Sequence, residues 1–96
     1  MTAREQLFFL LKEFSEGKYT VPSFCDAFED VFFPDIPRDE LNYHEIDSFE
    51  KLGEIIARYT PYEDDLRKYP GVYKSETEVK SAIKFVLSEL TNNSVQ

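Results

Sequence analysis

The sequence predicts an all-α fold, an antiparallel four-helix bundle of up-down-up-down order, and three observations carry that expectation. Apolar residues recur at helical spacing in four separate stretches. Two of these stretches open on a capping-box sequence, and the connections between them are too short for distant crossings. With 96 residues, 42% of them hydrophobic and including 9 Phe and 6 Tyr, the chain supports one domain over residues 1–96. A core of that size holds without disulfides or metal.

The opening Thr2-Ala3-Arg4-Glu5 is the first capping box, and a helix from about Ala3 to Glu16 comes after it. Leu7, Leu10, Leu11 and Phe14 form its apolar face, widened by Phe8 and Phe9, and Gly17 supplies the stop. Thr20-Val21-Pro22 starts a second helix, because Thr caps and Pro is tolerated in a first turn. Its stripe is Phe24, Phe28, Val31 and Phe32, and Pro34 with Pro37 ends it near Phe33. A third helix runs from about Tyr43 to Tyr59, with Ile46, Phe49, Leu52, Gly53, Ile56 and Tyr59 on one face. Gly53 costs about 1 kcal/mol there relative to Ala, which suits close approach of a neighbouring helix. Thr60-Pro61 closes this helix. Next comes a loop from Tyr62 to Lys74, with a short helical turn around Glu63 to Lys68 and a bend at Pro70-Gly71. Ser75-Glu76-Thr77-Glu78 is the second capping box. It opens a last helix on Val79, Ala82, Ile83, Val86, Leu87 and Leu90 that frays from Thr91. The expected shared core comprises Phe14, Phe28, Phe49, Ile56, Ile83 and Val86.

Charge narrows the function. The net charge of −8 repels phosphate backbones and anionic membranes, so direct nucleic-acid or membrane binding is not expected. Between Asp26 and Asp65, 13 carboxylates face only Arg38, Lys51 and Arg58, a local balance of −10, while the remainder sums to +2. So one-sided a segment points to a basic partner.

Catalysis finds little support. His44 is the sole histidine and Cys25 the sole cysteine. They exclude an imidazole pair, a multi-cysteine metal site and an intramolecular disulfide. Cys25 lies beside Phe24 near an apolar stripe, where a thiol behaves as a small hydrophobe. Three isolated glycines make no phosphate loop, and Glu63-Asp64-Asp65 has no calcium-loop spacing, so neither cofactor nor metal is expected. The single cysteine, the want of a ~20-residue apolar run and the polar start Thr2-Ala3-Arg4-Glu5 together imply a cytoplasmic protein.

The candidate binding surface is the acidic side of the third helix together with the segment after it. Asp47, Glu50 and Glu54 stand at i, i+3 and i+7, and Tyr59, Thr60, Tyr62, Glu63, Asp64 and Asp65 continue beyond them. Carboxylates at a helix C-terminus oppose the helix dipole by a few tenths of a kcal/mol, which suggests that a partner placed them. Interleaved tyrosines suit such a surface, each offering a rigid ring with a polar tip. The plain alternative is a hydrated face on which Glu54 pairs with Arg58 at i, i+4. A small acidic adaptor binding some other basic protein is the competing function.

At these residues the chain resembles a known family, the small helical immunity proteins of the colicin D type, including those that accompany contact-dependent inhibition toxins. The resemblance runs from about Leu7 to Leu90. It rests on Leu11-Lys12-Glu13-Phe14, Gly17-Lys18-Tyr19-Thr20 and Phe24, on Ile56-Ala57-Arg58-Tyr59-Thr60-Pro61-Tyr62-Glu63-Asp64-Asp65, on Tyr73, and on Ser75-Glu76-Thr77-Glu78-Val79. The Phe33 to Asn42 connection is longer than its counterpart in the family. The resemblance implies a four-helix bundle that binds a cognate nuclease toxin, a tRNase, in a 1:1 complex. It would act as a monomer and cover the toxin's basic cleft with acidic side chains from the Tyr59 to Asp65 region.

Overall fold

The computed structural model describes residues 2–32 and 39–94, with side chains as far as Thr91. The expected stop at Phe33 and the two prolines after it lie outside the described residues. The protein is all-α: the elements are α1 (Ala3–Ser15), α2 (Val21–Phe32), α3 (Tyr43–Ala57), α4 (Glu63–Lys68) and α5 (Glu76–Ser94).

Local chemistry sets most of these boundaries. Thr2 caps α1 by accepting from the Glu5 amide at 3.1 Å, while the Glu5 carboxylate accepts from the Thr2 amide at 3.0 Å. At the other end, the Lys18 amide donates to the Glu13 carbonyl and the Gly17 amide to that of Phe14, both at 3.0 Å. This Schellman arrangement requires a left-handed residue, and Gly17 supplies it at φ 80°. Thr20 caps α2 through the Ser23 amide at 3.2 Å. Helix α3 starts on a capping box that the sequence reading did not single out, Asn42 with Glu45. It ends at Ala57, two residues short of the expected Tyr59. At the start of α5, Ser75 accepts from the Glu78 amide at 3.2 Å and donates to the Glu78 carboxylate at 3.3 Å. The expected fraying from Thr91 is not seen, since α5 continues to Ser94.

Packing is then set by the apolar faces. Helix α1 lies against α2 and α5, α3 against α5, and α2 against α3 and α5. All six expected core residues, Phe14, Phe28, Phe49, Ile56, Ile83 and Val86, are buried. Phe49 is the centre: its ring lies 5.9 Å from Phe8 in an edge-on contact, 6.2 Å from Phe28 and 6.1 Å from Phe32. Gly53 is buried on the same face of α3, as expected.

One polar network ties the start of α1 to the start of α3. Arg4 donates to both oxygens of the buried Glu45 at 3.2 and 2.7 Å, and the Asn42 amide donates to Glu45 at 3.0 Å. The Arg4 guanidinium also covers the Phe8 ring at 4.6 Å, and its amide donates to Glu40 at 3.1 Å. Burial alone would push the Glu45 carboxyl up, but the hydrogen bonds from Arg4 and Asn42 and the Arg4 charge outweigh it and hold it low. A depressed folded-state pKa means stability that is complete above the ordinary carboxylate value and is lost as pH falls through the lowered one. Glu45→Gln is therefore expected to cost about 1–2 kcal/mol at neutral pH. Its gap from the wild type should begin to narrow below the ordinary carboxylate value of about 4.3 and go on shrinking as pH falls further, in urea melts repeated across pH.

Candidate functional site

The acidic side of α3 is exposed and short of partners. Glu50 and Glu54 are solvent-facing and make no ion pair among the described residues. The Glu54–Arg58 pair of the alternative, hydrated-face reading is not formed among the described residues; the bridge on this face joins Lys51 to Asp47 at 3.0 Å. Tyr43, 92% exposed, stands four residues before Asp47 and extends the same stripe toward the start of the helix.

After α3 the chain leaves the helical body and returns. The Thr60 amide donates to the Lys74 carbonyl at 3.0 Å and the Lys74 amide to the Arg58 carbonyl at 2.7 Å, an isolated parallel bridge that pins the base of the excursion. Thr60 is buried there, and its hydroxyl donates to Asp65 at 2.9 Å while accepting from the Tyr62 amide at 3.2 Å. Thr60 and Asp65, both in the expected binding surface, thus hold the loop in shape. Tyr59 is half-buried against the core, so its ring serves packing as well.

The excursion carries α4, which buries none of its residues and, among the described residues, packs against no other helix. Its position corrects the dipole argument. Glu63, Asp64 and Asp65 form the first turn of a separate helix, with Arg67 and Lys68 in its last turn. Carboxylates are favoured at that end, so the dipole explains their placing without a partner. Asp64 also pairs with Arg67. Glu63 remains exposed and makes no ion pair among the described residues.

What the sequence did not single out, Tyr62 apart, is the apolar content of the excursion. Tyr62, Tyr69, Val72 and Tyr73 are all exposed, and the Tyr69 and Tyr73 rings meet edge-on at 5.9 Å. A protruding segment with exposed aromatics beside Glu63 and Asp64 is suited to contact another macromolecule. The signal was present in the spacing of the tyrosines, but position on a loop gave no measure of their exposure.

Cys25 and His44 do not come together. Cys25 is buried in the core, whereas His44 is exposed at the start of α3 and lines a groove in which Cys25 takes no part. Burial first, then the carboxylates of Glu29 and Asp26, push the Cys25 thiol up to about 12. So raised a thiol is almost wholly protonated at pH 8. Cys25 is expected to resist iodoacetamide in the native protein at that pH and to react once denaturant unfolds it, with mass spectrometry as the readout. Cys25→Ala should lower stability modestly and leave partner binding intact. Among the described residues no group of three or more His, Cys, Asp or Glu side chains could hold a metal ion, and no helix is long and apolar enough to cross a membrane.

A further concavity of about 590 Å³ lies between α3 and α5. In comparison with known proteins, no family model matches the chain, and no curated protein or solved structure matches it.

Proposed function

We propose that this protein is an immunity-type inhibitor that binds a cognate nuclease toxin, of the tRNA-cleaving class, and covers its basic active-site cleft. The observation that carries the reading is the α4 excursion, where exposed Tyr62, Tyr69, Val72 and Tyr73 stand beside Glu63 and Asp64. The exposed Glu50 and Glu54 of α3 add charge of the same sign. A nuclease needs a positive groove for phosphates, and carboxylates presented on a rigid scaffold compete for that groove. The tyrosines supply the apolar contact that charge alone does not. The inhibitor itself performs no chemistry in this reading: it needs neither cofactor nor metal, binds no nucleic acid, and acts in the cytoplasm as a monomer in a 1:1 complex.

The scaffold in this reading is an up-down-up-down four-helix bundle of α1, α2, α3 and α5, with α4 inserted in the third connection. Three contacts support it. Arg4 and Glu45 join the starts of α1 and α3, the Phe14 and Phe24 rings join the end of α1 to the start of α2 at 5.3 Å, and the Tyr59–Lys74 bridge joins the end of α3 to the start of α5. The resemblance to colicin D type immunity proteins would suit both fold and role.

Co-expression with the adjacent reading frame tests the function. Growth arrest by that frame alone, relieved when this protein is present and accompanied by a co-purifying complex, is the expected result. An adjacent frame that encodes no toxin, or a toxin that this protein neither binds nor neutralises, favours the acidic adaptor instead.

A further inference from the structure

We propose that the groove between α3 and α5 is an anchor site for a basic amphipathic helix, two to three turns long, supplied by the partner. The proposal deepens the reading above and rests on it in one respect, that the partner is a basic protein.

The shape comes first. Helix α3 walls the groove from His44 to Ile55 and α5 from Ser81 to Glu89. At 1.5 Å per residue these walls are about 12–16 Å long, which matches apolar side chains on successive turns of a docked helix. The floor is apolar, with Leu52, Ile55, Ala82 and Val86 contributing to it. Phe85 lies at the edge, 65% exposed, a large ring that the fold itself leaves uncovered.

The charge at the rim selects the occupant. Asp47 stands on the α3 side and Glu89 on the α5 side, and Glu50 and Glu54 lie on the neighbouring sector of α3. Lys51, the one lysine in the lining, pairs with Asp47 at 3.0 Å, so these two cancel, and Glu89 with the nearby Glu50 and Glu54 supplies the net negative charge. The lysines of α5 face elsewhere: Lys80 and Lys84 line the cleft between α1 and α5, alongside Leu11 and Ser15. An apolar floor with the Glu89 carboxylate on one rim and Glu50 and Glu54 beyond the other complements a helix with one apolar face and basic flanks. A second copy of this chain, at −8, brings the wrong sign.

The test titrates the full-length protein with a synthetic peptide of about four helical turns, Leu at i, i+3, i+4 and i+7 and Lys elsewhere. A scrambled peptide of the same composition is the control. Amide chemical shifts locate binding and fluorescence anisotropy measures affinity. Shifts confined to Ser48, Lys51, Ile55, Ser81 and Phe85 and their neighbours, with the scrambled peptide bound at least about tenfold more weakly, support the proposal. Phe85→Ser and Ser81→Trp alter exposed positions and should each weaken the ordered peptide by about tenfold, the first by removing apolar area and the second by filling the groove. Phe9→Ser, at an exposed ring on α1, should not. Equal binding of both peptides, shifts centred on α4, or unchanged affinity in both groove variants overturns it. So does a concentration-dependent dimer in sedimentation that Phe85→Ser abolishes, since the groove would then hold a second copy. These outcomes are independent of growth rescue, so the groove can fail while toxin inhibition stands, and the reverse.

Discussion

Truncating Phe49 to Ala is expected to remove about 3–5 kcal/mol of stability, a large share of the roughly 5–15 that a domain of this size commands. The magnitude comes from where the ring sits. Phe49 is fully buried and meets Phe8 of α1 and Phe28 and Phe32 of α2, so its loss opens a cavity bordered by three helices at once. Close-packed surroundings relax only partly into such a space, so most of the cavity cost persists. Urea unfolding followed by far-ultraviolet circular dichroism measures the effect, with Phe9→Ala as the comparison. Phe9 is 41% exposed, and its truncation should shift the midpoint far less. A loss for Phe49→Ala of under about 1 kcal/mol would show that α1, α2 and α3 do not share this centre.

The range of each interaction decides which parts of the structure were legible in the sequence. Periodicity placed Leu7, Leu10, Leu11 and Phe14 on one buried face, and that stripe is buried. The short helix at Glu63 to Lys68 was also legible, because three carboxylates succeeded by Arg67 and Lys68 suit the two ends of one helix. Reading the same carboxylates as the tail of α3 misassigned their electrostatics. The Asn42–Glu45 cap is equally local, yet Asn-x-x-Glu does not stand out at the end of a connection that contains two prolines. Long-range polar contacts lay beyond any local pattern. Nothing in the chain announces that Arg4 would find Glu45, 41 residues away, or that Lys74 would close the loop begun at Arg58.

The candidate surface divides in the same way. Its acidic character was visible, but which carboxylates are available was not, because that depends on neighbours. Asp47 is paired with Lys51, Asp64 with Arg67, and Asp65 is held by Thr60. Glu50, Glu54 and Glu63 are left as exposed charges without an ion-pair partner among the described residues. The apolar part of the surface beyond Tyr62, namely Tyr69, Val72 and Tyr73, emerged only with the fold, since a tyrosine on a loop is as often packed as exposed.

That division decides how the surface is best challenged. Replacing Glu50, Glu54 and Glu63 together by Lys reverses the available charges and leaves the pairs that shape α3 and α4 in place. Association with the toxin's nuclease domain is expected to slow by about tenfold or more at low salt, while dissociation changes little. The difference should shrink as ionic strength rises, since exposed charges are screened over about 8 Å at physiological salt. Stopped-flow association rates for both proteins across a salt series provide the measurement, with circular dichroism to confirm that the helical signal is retained. Equal rates at every salt concentration would reduce the acidic face to solvated surface and remove the electrostatic basis of the inhibitor reading. Asp65 must stay out of the variant. Asp65→Lys breaks the hydrogen bond from Thr60 and loosens α4, which carries Glu63 and Asp64 and lies between Tyr62 and Tyr69, so weaker binding would then report lost shape as much as lost charge. The signatures differ: lost charge acts on association and is hidden by salt, whereas lost shape acts on dissociation and persists when the charges are screened.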